Sequence, residues 1–501
     1  MIPTFEQFKD LAKRYNVIPF ARVLMADLHT PVSTYLTLRQ EGTPSFLFES
    51  VEPDERIGRY SFIGVEPVAM LRARGTHTTL TGWGRAGEGE ADVFQVLRRL
   101  TGEFRCAPLD DYHGLSGGLV GYLGYDTVRL LEKVPIPLPG VYDEDDAVFG
   151  LYPSVVRFDH RAQLLTLLHN VLIDPSVPLR LQFEEGMKML ETMELKLKRP
   201  PLAGSLFHVH RDGASDEFDR EGFLDAVRRV KAHIHEGDVF QAVLSRRITR
   251  TFSGDLFAVY RALRMINPSP YLFYLDCGET KLVGSSPEVL VRARGGVVEV
   301  LPIAGTRKRG SDPAADRRME ESLLGDAKEL AEHVMLVDLG RNDVGRISEF
   351  GSVTVPVFKR VERYSHVMHL VSEVRGRLQK DTSPVDVLAA CFPAGTVSGA
   401  PKVRAMEIIQ QLEPVQRGAY GGGVGYIGFD GTLDTCIAIR TLIAHGEHLK
   451  IQAGAGIVAD SDPEREYEET VNKSRALLDA LEVASGNGSA EVLRRMGAPG
   501  R

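Results

Sequence analysis

Two acidic stretches in the last third of the chain carry carboxylates at a spacing that can hold a divalent cation. Glu329 and Glu332, in Glu329-Leu-Ala-Glu332-His333-Val-Met-Leu-Val-Asp338, are three residues apart and share one helix face. Glu466 and Glu469 repeat that spacing, with Lys473 one turn further on. Asp462-Pro463 supplies an N-cap and a proline at the first helical position, which fixes where the second helix starts. Two such faces suit Mg²⁺, which takes one or two carboxylates and completes its octahedron with water and substrate oxygens. Glutamates three apart are also an ordinary solvated helix surface, so the pairs by themselves leave both readings open.

Glycine-rich loops lie between the two helices. Gly395-Thr396-Val-Ser398-Gly-Ala-Pro401-Lys402 runs into a helix over Val403–Leu412, where backbone N–H groups attract anions. Gln452-Ala-Gly454-Ala455-Gly456 is a second place where a ligand could approach the main chain. Either loop is also consistent with plain turns. The order GxxxxGK[ST] is absent, so the loops do not imply ATP. Arg440 ends the apolar strand Cys436–Arg440 and could clamp a carboxylate bidentately or form a structural salt bridge. His369, in Tyr364-Ser-His-Val-Met-His369, is either a proton carrier or a satisfied core residue.

The elements that must position these groups read as a mixed α+β chain. A length of 501 residues implies more than one core. A net charge of −8 gives no basic footprint for nucleic acid. No apolar run is long enough to cross a membrane, and the first residues lack the pattern of a signal peptide, so a cytoplasmic protein is expected. Cys106, Cys277, Cys391 and Cys436 are scattered, without CxxC spacing or a nucleophile elbow. Residues 4–16 read as an amphipathic helix, and strands follow at Ser45–Ser50, Arg59–Gly64 and from Val68. Gly117–Gly124 reads as a buried strand, and Val424–Gly428 repeats its glycine pattern weakly. Residues 175–200 read as a helix, and 202–217 as a linker. After it come a helix over Asp219–Glu236, a strand from Val239 through Gln241, a strand over Tyr271–Leu275, and a hairpin of Gly423–Phe429 with Leu433–Ala444. The expected division is 1–201, linker 202–217, 218–480, and a flexible tail over 481–501.

An ordered set of motifs then gives a family resemblance. Gly284-Ser-Ser-Pro-Glu288, Pro302-Ile-Ala304-Gly305-Thr306-Arg307, Glu329-Leu-Ala-Glu332-His333, Asp338-Leu-Gly-Arg-Asn-Asp343, Gly395–Lys402 and Gln452-Ala-Gly-Ala-Gly456 together resemble the chorismate-utilising enzymes over essentially the whole chain. The resemblance implies two intertwined lobes of antiparallel β-sheet with helices packed outside, the first lobe regulatory and the second catalytic. Members that use water resemble one another in a lysine base where this chain has Gln241, which favours ammonia here. Members of the aminodeoxychorismate branch carry a lysine where this chain has Ala304. Phe48-Glu49-Ser50 and Asn267-Pro-Ser-Pro270-Tyr271-Leu272 are similar to the tryptophan feedback pocket of the anthranilate-forming branch, with Phe48 and Leu272 as departures from its pattern.

That branch implies amination of chorismate at C2, loss of the C4 hydroxyl, and a lyase step releasing pyruvate. By the resemblance, Glu332 and Glu469 hold Mg²⁺, with Glu329 and Glu466 ordering its waters. Arg440, Tyr420 and the N–H groups of Gly454, Ala455 and Gly456 hold chorismate. Gln241, Gly305, Thr306 and Lys473 complete the substrate pocket. Glu288 protonates the departing hydroxyl, and His369 and Thr396 serve the lyase step. Glu49, Ser50, Asn267, Pro270, Tyr271 and Leu272 hold tryptophan as an inhibitor. A separate glutamine amidotransferase subunit supplies ammonia, making a hetero-oligomer. The aminodeoxychorismate branch and a non-catalytic tryptophan-sensing paralogue are the alternatives.

Overall fold

The computed structural model describes residues 2–50, 58–83, 85–109, 112–135, 144–202, 204–310, 312–363 and 367–486. Two large sheets dominate it, each drawing strands from both halves of the sequence. The first runs, edge to edge, through Val17–Met25, Leu164–Leu172, Ser154–Asp159, Tyr60–Val65, Ser45–Glu49, Tyr271–Asp276, Thr280–Ser286, Thr441–His445, His448–Ile457, Gln241–Ser253 and His208–Asp216. The second runs through Ile303–Lys308, Val367–Arg377, Val297–Val300, Val289–Arg294, Leu433–Ile437, Gly423–Gly428, Gly118–Leu123, Ala147–Tyr152, Ala69–Arg74, His77–Gly82 and Arg85–Glu90. All the pairings between these strands are antiparallel, and helices cover the outer faces. One core cluster joins Phe8, Phe20 and Leu190 to Leu263, Leu442 and Leu477, so apolar residues from both ends of the chain share it. No helix among the described residues is long and apolar enough to cross a membrane.

Local chemistry explains many boundaries. Asp462 accepts a hydrogen bond from Arg465 N and caps the helix Pro463–Ala484, whose first position is proline. Asp219 caps Arg220–His235 in the same way. The two glycine-rich strands that resemble each other lie side by side, with Gly121 opposite Gly425. A methyl group on Gly121 would run into the Val148 carbonyl, and one on Gly425 into that of Asp434, so close approach of neighbouring strands demands glycine there.

Several expectations are corrected. The first helix covers only Phe5–Leu11; a turn follows because Val17 must enter the sheet opposite Leu172. The segment expected as a linker contains the strand His208–Asp216, whose pairing with Gln241–Ser253 satisfies its backbone groups. The proposed tail begins inside a helix: Leu481 is buried and the helix continues to Ala484, while 487–501 lie outside the described residues. Leu433–Ala444 is not one strand. Leu433–Ile437 pairs with Gly423–Gly428 in one sheet, and Thr441–His445 pairs with Thr280–Ser286 in the other.

Candidate active site

The crossover between the sheets sets the first catalytic-looking group. Arg440 lies in the break between those two strands at φ 49°, a left-handed conformation that non-glycine residues seldom adopt. Its carbonyl accepts from Ser285 N at 3.1 Å, which anchors the strained residue. Among the described residues its guanidinium makes no hydrogen bond or ion pair. Burial pushes its pKa down, opposed by Glu288, Tyr420 and Glu469. A half-buried cation without a partner calls for an anionic ligand, which removes the structural salt bridge as its explanation.

Glu288 stands where a second strand crosses between the same sheets, between Thr280–Ser286 and Val289–Arg294. Its N–H donates to Ser286 Oγ at 3.3 Å, and its carbonyl accepts from Ile437 N at 3.0 Å. Thr396 Oγ1 donates to its carboxylate at 2.8 Å. Burial raises the Glu288 carboxyl above the ordinary range, while Thr396, Lys473 and Arg440 oppose that rise. The structure thus joins Thr396 to Glu288, whereas His369 Nδ1 lies 3.0 Å from Thr306 Oγ1. Burial lowers the pKa of His369, so its imidazole is neutral at neutral pH. Residues 364–366 of its motif lie outside the described residues.

The carboxylate pairs converge from two helices, Ala327–Gly345 and Pro463–Ala484. Burial raises Glu332, with Glu329 and Glu469 adding repulsion, and Gln241 Nε2 donates to Glu332 at 3.2 Å. Burial also raises Glu466, again with Glu469 adding to it. Glu329 accepts from Arg307 at 3.0 Å. Glu469 pairs with Lys473 at 2.6 Å, and Lys473 also donates to the Gly454 carbonyl at 2.9 Å. Mutually repelling, partly desolvated carboxylates fit a divalent cation. They form no closed cage: among the described residues, only His233, Glu236 and Asp238 bring three ligand atoms within 4.8 Å of one another, and Arg404 occupies Asp238. An open set of this kind fits Mg²⁺ completed by water and substrate oxygens.

Glycines keep the floor of the site open. A methyl group on Gly454 would come 2.9 Å from the Tyr420 hydroxyl, and one on Gly456 2.7 Å from Gln241 Nε2. Ala455 is fully buried between them. Gly305, at φ 68°, faces Leu323 and Glu329. In front lies an open cleft of about 530 Å³ lined by Arg440, Glu469, Asn472 and Lys473. Behind Glu288 and Thr396 is a cavity of about 60 Å³.

Sequence reasoning missed the residue that ties this site together. Arg417 is buried and donates to Glu413 through Nε at 2.8 Å and Nη2 at 2.6 Å. It also holds Val397 O at 2.5 Å, beside Thr396, and Val243 O at 2.7 Å, on the strand of Gln241. Its guanidinium lies 5.8 Å from the Tyr420 ring centroid. Glu413 and Arg417 lie just past the end of the helix Lys402–Leu412, so their pairing had no helical signature in the sequence. Arg417→Met should destabilise the protein by about 3–5 kcal/mol, because it leaves the Glu413 carboxylate buried without its counter-charge, held only by Ser245. Urea unfolding measures this, and a Glu413→Leu/Arg417→Met double variant should recover much of the loss.

A second cavity, of about 290 Å³, lies between the sheets. Ser50, Pro270, Tyr271 and Leu272 line it, as does Phe48. Ser50 Oγ is buried and has no hydrogen-bond partner among the described residues. Two expected members turn away. The Glu49 carboxylate accepts from Tyr260 at 2.6 Å and Arg264 at 3.0 Å, leaving its backbone at the cavity. Asn267 is not in the lining, and its amide donates to Ser285 at 3.0 Å. Arg292, Tyr426 and Asp434 were missed; Asp434, the one charged residue in the strand Leu433–Ile437, was the available sign.

The pattern of the chorismate binding enzyme family matches residues 43–479. This chain belongs to that family. Among chorismate binding enzymes, the anthranilate synthase component 1 of Acetivibrio thermocellus is 43% identical over 96% of this chain and 99% of its own length. That of Neisseria meningitidis serogroup B is 44% identical with the same coverage. The crystal structure of anthranilate synthase component I from Streptococcus pneumoniae TIGR4 superposes with a TM-score of 0.75 at 34% identity, covering 91% of this chain and 99% of that one. The menaquinone-specific isochorismate synthase of Escherichia coli shares the fold, with a TM-score of 0.69 at 21% identity over 95% of this chain and 98% of its own.

Proposed function

We propose that this chorismate binding enzyme converts chorismate and ammonia to anthranilate and pyruvate, as the large component of a two-subunit assembly. The observation that carries the reading is the buried Glu288 carboxyl, its pKa raised by burial, beside an Arg440 guanidinium that has no partner among the described residues and opens on a cleft lined by carboxylates. The names of the relatives support it, as do Gln241 and Ala304, which stand where other branches place lysines.

Arg440 and Tyr420, with the N–H groups of Gly454–Gly456, hold the enolpyruvyl carboxylate and ring substituents. Gly305, Thr306 and Lys473 close the pocket around them. Glu332 and Glu469 would hold Mg²⁺, with Glu329 and Glu466 ordering its waters, and the ion would neutralise the ring carboxylate. Ammonia adds at C2 while Glu288 gives its proton to the hydroxyl leaving C4 as water. The lyase step falls to His369 and Thr396. His369, neutral and hydrogen-bonded to Thr306, can accept a proton. Thr396 acts through its bond to Glu288.

Tryptophan is the proposed occupant of the 290 Å³ cavity, where Ser50 Oγ offers an unused hydrogen-bonding group. The ammonia source is a glutamine amidotransferase subunit, since the name component 1 carried by the relatives implies a second component. Burial pushes the Cys106 thiol up to about 12 and raises Cys277, Cys391 and Cys436 too, which suits none of them to nucleophilic work.

The test is product identity. The purified chain, with chorismate, Mg²⁺ and ammonium, should release anthranilate and pyruvate, and chelation should stop the reaction. Glutamine should replace ammonium only when the partner is added. An amino product that retains its enolpyruvyl group would assign the chain to the aminodeoxychorismate branch.

A further inference from the structure

Ser285 and Ser286 end the strand Thr280–Ser286 and are fully buried. That strand lies between the 290 Å³ cavity and the catalytic groups. On one side Ser285 is opposite Leu272 and Ser286 opposite Tyr271, both in the cavity lining. On the other side Gly284 is opposite Thr441, which brings Ser285 level with Arg440. Consecutive side chains of a strand leave by opposite faces, so the two hydroxyls reach in different directions. Ser285 Oγ donates to Asn267 O at 2.5 Å and accepts from Asn267 Nδ2 at 3.0 Å. The N–H of the same residue donates to the Arg440 carbonyl at 3.1 Å. Ser286 Oγ accepts from the Glu288 N–H at 3.3 Å, and the Ser286 carbonyl accepts from Ser269 Oγ at 2.5 Å. Asn267 and Ser269 belong to the turn between the helix Phe257–Ile266 and the strand that opens on Tyr271. Each serine is therefore tied at one end to the turn beside the cavity and at the other to one catalytic group.

We propose that Ser285 and Ser286 are positioning residues that couple the cavity to Arg440 and Glu288, a proposal that rests on the reading of the cavity as the tryptophan site. A ligand seated against Pro270, Tyr271 and Leu272 sets the position of the adjoining turn. Through Ser285 the turn then sets the main chain of Arg440, which is held in a left-handed conformation and has little freedom to compensate. Through Ser286 it sets the main chain of Glu288. The group that clamps a chorismate carboxylate and the group that protonates the leaving hydroxyl are displaced together, and the tryptophan-bound arrangement holds chorismate less well. Linkage makes the effect reciprocal: chorismate weakens tryptophan binding by the same factor. Serines that only satisfied the turn would leave that factor untouched.

The experiment titrates tryptophan calorimetrically into the full chain with Mg²⁺, in the absence and presence of saturating chorismate, without ammonium so that chorismate is not consumed. In the parent, chorismate should weaken tryptophan by about 20-fold. Ser285→Ala removes both bonds to Asn267 and keeps the N–H that holds Arg440. It should cut that factor about 5–10-fold, the worth of the lost bonding, while the tryptophan Kd without chorismate stays within about threefold. Ser269→Ala frees the Ser286 carbonyl and should cut the factor in the same direction; it decides the matter alone where Ser285→Ala does not fold. An unchanged factor in Ser285→Ala overturns the part given to Ser285, and in Ser269→Ala the part given to Ser286. Loss of tryptophan binding without chorismate overturns the proposal too, by making these residues part of the cavity wall. A parent that binds no tryptophan would bring down the reading of the cavity, and one that binds it but does not aminate chorismate would bring down the proposed function.

Discussion

Replacing Glu288 with Gln should lower kcat by about 10²–10⁴-fold, the usual contribution of a positioned general acid, while chorismate binding changes little. The amide preserves shape and can still accept from Thr396, so the loop Gly395–Val397 should stay in place. It has no proton to give to the leaving hydroxyl. Stability should not fall. Burial raises the Glu288 pKa in the folded state, so the stability this group contributes is present below the ordinary glutamate range and is lost as pH rises through the raised value. At neutral pH the Gln variant should therefore be at least as resistant to urea as the parent. A companion effect concerns pH. Thr396 holds the Glu288 pKa down, so Thr396→Val should raise it and carry the basic limb of the kcat profile to higher pH, whatever its height. Near-parental kcat in Glu288→Gln would remove Glu288 from the chemistry.

Ser50→Phe should abolish tryptophan inhibition, moving the half-inhibitory concentration by at least about 100-fold, while ammonia-dependent kcat stays within about twofold. The cavity holds about 290 Å³, close to the lower end of ordinary ligand pockets, so an added phenyl ring leaves too little room for an indole. It also removes a hydroxyl that has no partner among the described residues. None of the residues proposed to bind chorismate lines this cavity, which is why turnover should survive. Cys436 does line it, and the same strand runs on through Ile437, which donates to the Glu288 carbonyl, toward Arg440. A ligand there bears on both groups through this one segment, a route for inhibition. Isothermal titration of tryptophan into the variant checks the loss of binding directly. Parental affinity would place the inhibitor elsewhere.

The legible parts of this molecule were those whose cause is local. The helix carrying Glu466 and Glu469 announces itself through Asp462-Pro463, and the structure caps it at that residue. The strand Tyr271–Asp276 and the turn at Asp430-Gly431 follow from alternation and turn chemistry. The boundaries that failed were those set by distant partners. Nothing within 202–217 says that His208–Asp216 will pair with Gln241–Ser253, and nothing near Leu433 says that the chain will change sheets after Ile437.

The candidate site divides in the same way. The types and spacings of Glu329, Glu332, Glu466 and Glu469, and the order of the glycine motifs, were fixed by the sequence alone, because helical phase and loop chemistry depend on neighbours a few residues away. The motifs also carried the family resemblance, which the match over residues 43–479 bears out. Tertiary structure decided the rest. It set Thr396 on Glu288 across 108 positions of sequence, and His369 on Thr306 instead. It turned the Glu49 carboxylate away from the cavity and left Asn267 out of its lining. Among the described residues it left Arg440 without a partner at the crossover and Gln241 Oε1 without a donor. Strand pairing and burial are settled by the packing of the whole chain, so contacts of this range have no signature in any short stretch of it.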